Sequence, residues 1–425
     1  MSRLAVLAPP LTGHWKPLAA LAAELGERGH QVVFVHGEEA RGLAGRFGAD
    51  FAAIPSAPLG AHEGVRGTVR EMARQTDMLC RHGPGVIGAL GVDAIIADQL
   101  EPAGALIAEH LGLPFATVAC ALPINREPKV PPPYVGWRFD PSPRGQSWAK
   151  GGWRVSDFLM RPVGAVAAQW AETWRLPPRR RLDDLFSPTL QIAQAVPSID
   201  FPREALPASF HHIGPLRRRE GFMSPIAGPF VYCSLGTLQG GRTRLFAAVA
   251  AACAALDLKL VLTHCGRLSP DEVAGLPGSP LAFDFLPQEA LLSEASLVVT
   301  HAGFNTVLES LACGLPMVAM PIAFDQPAVA ARIARSGVGE VVSPRRATAA
   351  RLTRTIEKVL RAPRYRDRAR YVQREIQAAG GVARAADLIE AMLLRQASAP
   401  APQEAATRER AARGDARGDS RSGSR

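Results

Sequence analysis

Short apolar runs alternate along the chain with longer stretches in which apolar residues recur at helical spacing. Residues 4–8 are the first strand-like run, 17–28 a helix closed by Gly29, and 31–36 the next strand. The run 92–97 is closed by Asp98, the helix 103–111 is stopped by Gly112, and a strand follows over 114–121. This strand–helix–strand rhythm predicts a parallel sheet covered on both faces. Residues 128–152, rich in Pro, Gly, Trp and Arg, break it and read as a long irregular excursion before a helix over 156–175. The alternation restarts with strands predicted at 230–234, 259–264, 281–285, 296–300 and 317–320. Helices are expected at 244–255, 304–313 and 327–336.

The pattern predicts an α/β protein of two doubly wound, Rossmann-like domains facing a central cleft. Ligands in such sheets bind beyond the carboxyl ends of the strands. The expected division is an N-terminal domain over 1–216, a linker over 217–229 and a second domain over 230–375. A helix over 376–395 is expected to pack back on the first domain. The tail 396–425 has almost no apolar residue larger than Ala and is expected to be disordered.

Composition excludes several classes. At 425 residues, 47% hydrophobic and 21% charged, the chain is globular with room for two cores. Its six cysteines show no C-x-x-C spacing, which suits a reduced, cytoplasmic protein. No apolar run is long enough to span a membrane. The net charge is +10, with clusters at Arg179-Arg180-Arg181 and Arg217-Arg218-Arg219. Nucleic acid, an anionic membrane surface and ligand phosphates would each suit such charge. No nucleic-acid motif accompanies it.

Two constellations carry chemistry. Pro10-Leu11-Thr12-Gly13-His14 follows the first strand, and Asp98 ends another. An imidazole at a strand end can take a proton from an alcohol near neutral pH, and a carboxylate can hold its tautomer. The second lies over 285–326: F-L-P-Q, then H-A-G-F-N-T-V-L-E-S, then C-G-L-P-M-V-A-M-P-I-A-F-D-Q. His301 ends a strand and Ala302–Thr306 open a helix, whose N–H groups and dipole suit a diphosphate. Ser234-Leu235-Gly236-Thr237, at another strand end, has small and hydroxylated residues able to cradle phosphate.

These blocks, in this order, resemble the family 1 UDP-glycosyltransferases, which have the GT-B fold. The resemblance implies an inverting transfer from a nucleotide sugar such as UDP-glucose, a co-substrate rather than a cofactor, with no metal. It implies His14 as base with Asp98 behind it. On the donor side it implies Ser234, Gly236, Thr237, His301, Gly303, Asn305 and Thr306 around the diphosphate. Glu309 would hold the ribose, Leu286 and Gln288 the uridine, and Asp325 and Gln326 the sugar hydroxyls. Phe285 stands where many plant members carry Trp.

Further blocks run over nearly the whole body, through 4–394. They include Ala8-Pro9-Pro10, Glu71-Met72-Ala73-Arg74, Asp77-Met78-Leu79-Cys80 and Asp98-Gln99-Leu100-Glu101-Pro102. Others are Val118-Ala119-Cys120-Ala121-Leu122-Pro123-Ile124-Asn125-Arg126-Glu127-Pro128 and Ser234-Leu235-Gly236-Thr237-Leu238-Gln239-Gly240. They are similar to the bacterial carotenoid glucosyltransferases and imply a hydrophobic, hydroxylated acceptor such as zeaxanthin. Thr12, Gly13, Cys120, Leu122 and Pro123 are the candidate acceptor-side residues. A macrolide, flavonoid or sterol acceptor, a nucleotide-sugar epimerase and a non-catalytic binding partner remain open alternatives. A lipid-borne acceptor would bring the protein to the membrane surface, with Trp137, Phe139, Trp148 and Trp153 as candidate interfacial aromatics.

Overall fold

The computed structural model describes residues 1–56, 64–179, 181–218, 224–236 and 242–397. Thr237 and the rest of its loop, Arg180, Arg219, part of the 217–229 linker and the tail from 398 onward lie outside them.

Among the described residues, thirteen strands form two sheets in which every named pairing is parallel. The first contains β1 (Arg3–Leu7), β2 (Gln31–Gly37), β3 (Asp50–Ile54), β4 (Ala94–Asp98), β5 (Phe115–Ala119), β6 (Gln191–Ala193) and β7 (Phe210–His212). Its order is β3-β2-β1-β4-β5-β6-β7. The second contains β8 (Phe230–Ser234), β9 (Leu260–Thr263), β10 (Leu281–Phe283), β11 (Ala295–Thr300), β12 (Met317–Ala319) and β13 (Gly339–Val341). Its order is β10-β9-β8-β11-β12-β13. Strand order reverses between β1 and β4 and again between β8 and β11. These are the two switch points at which such sheets open a crevice.

Among the described residues, the α-helices that accompany the first sheet are α1 (Thr12–Glu27), α2 (Arg41–Arg46), α3 (Gly64–Leu90), α4 (Pro102–Leu111) and α5 (Pro143–Thr173). With the second come α6 (Thr243–Ala255), α7 (Pro270–Ala274), α8 (Gln288–Glu294), α9 (Phe304–Ala312), α10 (Gln326–Ser336) and α11 (Ala349–Arg361). Then α12 (Pro363–Ala379) and α13 (Gly381–Ala397) close the described chain. Strand pleating assigns each sheet two cores. Leu4 and Val6 face Leu18, Leu21 and Leu25 of α1, whereas Ala5 and Leu7 face Leu79, Leu106 and Ile107 of α3 and α4. In the second sheet Phe230 and Tyr232 face one core, and Val231 and Cys233 the other.

The sequence-based boundaries change in four places. First, α1 begins at Thr12 rather than at residue 17, so His14 sits in its first turn and Pro17 lies inside the helix. Second, the 128–152 excursion ends early because α5 starts at Pro143. Ser142 caps it by accepting from the Gly145 N–H, and Pro143 fits the first turn, so a local start signal overrides the glycines that follow. Third, α3 is a long helix over a stretch to which the sequence pattern assigned no element, its apolar periodicity being diluted by Gly83, Pro84, Gly85 and Gly88. Fourth, the C-terminal helix begins at Gly381, after a break at Gly380 and Gly381, both at positive φ. It packs Ala385, Ile389 and Met392 against the α1 core, and Arg28 pairs with Asp387 and Glu390 at 2.7 and 2.9 Å.

Of the aromatics in the excursion, only Trp148 is exposed among the four candidates, at 59%. Trp153 is buried and donates to the Val130 carbonyl. Phe139 leans on Phe201, and Trp137 meets Trp148 edge-on and lies against Gly152. Packing of the loop onto α5 turns these rings inward. Among the described residues no helix is long and apolar enough to cross a membrane, and the six cysteines are free thiols.

Candidate functional site

Leu7 pairs with Ala97 across β1 and β4, so the chain leaving β1 passes beside Asp98, the last residue of β4. His14 Nδ1 lies 2.8 Å from Asp98 Oδ2. The other carboxylate oxygen accepts the Leu100 N–H at 2.8 Å. With Nδ1 engaged, Nε2 is the nitrogen left to address a substrate, and 11% of the side chain remains accessible. Burial pulls the imidazole's pKa down, but the charges of Asp98 and Asp325 and the bond to Asp98 outweigh it and leave it above its usual 6.5. Beneath the pair, burial raises the Glu101 carboxyl to about 8, with the Asp98 charge adding to the shift.

Cys120 follows β5, and its thiol is held neutral by burial and by Asp98. The ligand atoms of His14, Asp98 and Cys120 lie within 4.8 Å of one another, the closest approach to a metal-binding set among the described residues. A neutral thiol and an imidazole nitrogen already bonded to carboxylate suit proton handling better than cation binding. Thr12 opens α1, and Gly13 lies beside it at the cleft.

On the facing domain, Thr300 pairs with Ser234 and brings the β8 loop beside His301. The His301 ring lies between Gly236 and Gly303. A Cβ at either would fall 2.6 or 2.4 Å from its Nε2, so both positions exclude side chains. Ala302 is left-handed at φ 66°, a strained turn that delivers the chain into α9. Gly303 caps α9 without a side-chain hydrogen bond, which leaves the helix's first N–H groups for a ligand. Burial lowers the His301 pKa to about 4 against a hydrogen bond to the Ser234 backbone, so this imidazole is neutral at physiological pH.

Deeper in α9, Glu309 Oε2 accepts from Gln288 Nε2 at 2.5 Å, and Thr306 lies 3.5 Å from the Gln288 amide oxygen. Leu286 is half-buried against the core, whereas Phe285 is 63% exposed with the Arg46 guanidinium 5.5 Å over its ring. Asp325 occupies the N-cap of α10, and burial raises its carboxyl to about 6 while the charge of His14 opposes the shift. Gln326 spends its Oε1 on the Ile322 and Ala323 N–H groups, both at 2.8 Å, so its amide nitrogen is the end available to a sugar.

Motif residues on the donor helix are tied to the first domain by partners that carry no motif. Asn305 donates to the Gly13 carbonyl at 2.7 Å and accepts from Gln194 at 3.0 Å. Lys16 reaches Glu309 at 2.7 Å. Arg332 of α10 and Arg203 grip the two oxygens of buried Asp200 at 2.7 and 2.8 Å. Arg203 also donates to the carbonyls of Pro123 and Asn125, which fastens the loop after β5 to the same point. In that loop Leu122 is buried in a core shared with Phe304 and Val329, and Pro123 is buried as well. Apart from Arg203 to Asp200, three residues apart, these contacts join residues far apart in sequence, and no local signal marks them.

Two parallel-sheet domains, with a His–Asp pair on one side of the cleft and an uncapped helix N-terminus on the other, have the architecture of GT-B glycosyltransferases. The calicheamicin glycosyltransferase CalG4 superposes with a TM-score of 0.76 at 23% identity, covering 93% of this chain and 99% of that one. Residues 191–374 match the family described as UDP-glucoronosyl and UDP-glucosyl transferase. Zeaxanthin glucosyltransferase of Pseudescherichia vulneris is 41% identical over 406 residues, covering 92% of this chain and 98% of that protein. The enzyme of the same name from Pantoea ananas is 40% identical over 416 residues, covering 92% and 96%. The chain belongs to this UDP-glycosyltransferase family.

Proposed function

We propose that the enzyme transfers glucose from UDP-glucose to the hydroxyl groups of zeaxanthin with inversion at the anomeric carbon. The acceptor reading rests on the two zeaxanthin glucosyltransferases with which the chain aligns over nearly its whole length. The observation that carries the mechanism is the His14–Asp98 pair, set in a helix turn that docks on the first turn of α9 through Asn305. The acceptor hydroxyl gives its proton to His14 Nε2 as its oxygen attacks C1 of the glucose. The bond from C1 to the diphosphate oxygen breaks, and UDP leaves. Asp98 stabilises the imidazolium that forms. The leaving diphosphate meets the α9 N–H groups, His301, Asn305, Thr306 and the loop at Ser234 and Gly236, with Thr237 assigned the same role from the sequence motif alone. These groups answer its charge without requiring a metal. Glu309 takes the ribose hydroxyls, Gln288 and the Leu286 backbone the uracil, and Asp325 and Gln326 the glucose hydroxyls. Thr12, Gly13 and Cys120 border the acceptor, with Leu122 and Pro123 as the packed wall behind.

Incubation of the purified protein with UDP-glucose and zeaxanthin, followed by mass spectrometry of the pigment, tests the reading. Mono- or diglucosylated zeaxanthin and released UDP are expected. Turnover of a macrolide, flavonoid or sterol with zeaxanthin untouched would replace the acceptor, and UDP-glucose epimerised without acceptor would replace the reaction.

A lipid-dissolved acceptor also calls for contact with a bilayer. Support comes from the outer face of α5, where Trp148, Val155 and Phe158 are 59%, 59% and 58% exposed. Arg144, Arg154 and Arg161 are exposed on the same helix. Each such cation is worth about 1 kcal/mol near an anionic surface. Salt-sensitive co-sedimentation with anionic but not neutral vesicles, lost in Trp148→Ser/Phe158→Ser, is expected. No binding at low salt would contradict it.

A further inference from the structure

Lys16 lies in the same helical turn as His14, two residues on, but its ammonium is across the cleft. Nζ is 2.7 Å from Glu309 Oε1 and 3.7 Å from Glu289 Oε1. The Glu309 side chain is only 7% exposed, and its second oxygen is held by Gln288. Burial would favour a neutral amine, yet the two carboxylates keep Lys16 protonated.

Two consequences follow from these positions. A carboxylate buried close to a diphosphate is electrostatically unfavourable, and the Lys16 ammonium offsets that charge while it and Gln288 fix the two Glu309 oxygens. Second, Asn305 to Gly13 and Glu309 to Lys16 form two rungs between the opening turns of α9 and α1. Their spacing, four residues on one helix and three on the other, is that of neighbouring positions on a helix face. His14 sits between the rungs.

We infer that Lys16 is a positioning residue acting on both halves of the reaction: it fixes the Glu309 carboxylate that would accept the ribose hydroxyls and holds the His14 turn in register with the donor helix. The inference rests on the donor site described under the proposed function.

Lys16→Met, Glu309→Gln, their combination and Lys16→Arg test it, with UDP affinity from calorimetry and kcat measured at saturating UDP-glucose. Lys16→Met is expected to weaken UDP binding about tenfold, the scale of a charge-assisted hydrogen bond. It should also lower kcat at saturating donor, which lost binding alone would not do. The double variant should bind no more weakly than Glu309→Gln, because the two side chains act as a unit. Lys16→Arg keeps the charge in a longer, planar group, so UDP affinity should stay within about twofold while kcat falls. Near-normal binding and turnover in Lys16→Met, or additive losses in the double variant, would overturn the inference. If Lys16→Met does not fold, unchanged kcat in Lys16→Arg overturns the register role. Failure of the donor-site reading looks different: the unmodified enzyme would not bind UDP, or His301→Ala would bind it as well as the parent.

Discussion

His14 and His301 occupy similar places in the two domains and are tuned in opposite directions. Each follows a central strand at a switch point, β1 or β11, and each lies at the opening of a helix. Burial lowers the pKa of both. His14 has Asp98 at 2.8 Å and the charge of Asp325 across the cleft, and it ends above 6.5. His301, wedged between Gly236 and Gly303 at a helix N-terminus, ends at about 4. The positive end of the helix dipole also disfavours an imidazolium there. The partner, more than the place in the fold, therefore separates an imidazole that can accept a proton from one that can only offer a fixed hydrogen bond.

The contrast can be broken by mutation. His14→Ala is expected to lose about 10²–10⁴-fold in turnover, the range of a positioned general base, with UDP affinity near that of the parent. An equal loss at saturating donor in His301→Ala would erase the distinction. Asp98→Asn should cost about 10²-fold or more, since the imidazole loses the group that sets its tautomer. Its pH profile sharpens the point. The base must be neutral to act, so kcat/KM should rise with pH through a midpoint above 6.5. Removing Asp98 leaves burial as the dominant influence, and the midpoint should move down. A midpoint unmoved in Asp98→Asn would assign the titration to another group. The smallest effect is expected from His301→Ala: about tenfold weaker UDP binding, near the value of one neutral hydrogen bond. Unchanged affinity would remove His301 from the donor site.

How much of this was legible beforehand depends on distance along the chain. Gln288, His301, Asn305, Thr306 and Glu309 fall within one short segment, and the spacing that makes the motif also lets Gln288, Thr306 and Glu309 meet. Nine of the thirteen strands described were legible because parallel strands buried on both faces read as continuous apolar runs, whereas β3, β6, β7 and β13, which lie at or next to sheet edges, gave no such run. The start of α1 was not legible, because Pro17 and the Gly-His-Trp-Lys sequence before it resemble a loop, whereas Pro17 lies inside the helix and leaves the Gly13 carbonyl to Asn305. The inward turn of Trp153 was equally hidden, since an aromatic near a Pro/Gly-rich loop reads the same whether it packs or protrudes. Lys16 to Glu309 and Asp200 to Arg332 join residues on different domains. Those pairings exist only after two sheets have folded and docked, and no periodicity encodes them.

Imidazole titration by nuclear magnetic resonance, with the two rings assigned through His14→Gln and His301→Gln, examines the tuning itself. His14 should titrate with a midpoint above 6.5 that drops in Asp98→Asn, while His301 stays neutral down to about 4. A His301 ring titrating near 6.5, or a His14 midpoint below it that ignores Asp98, would contradict the division of labour between the two histidines.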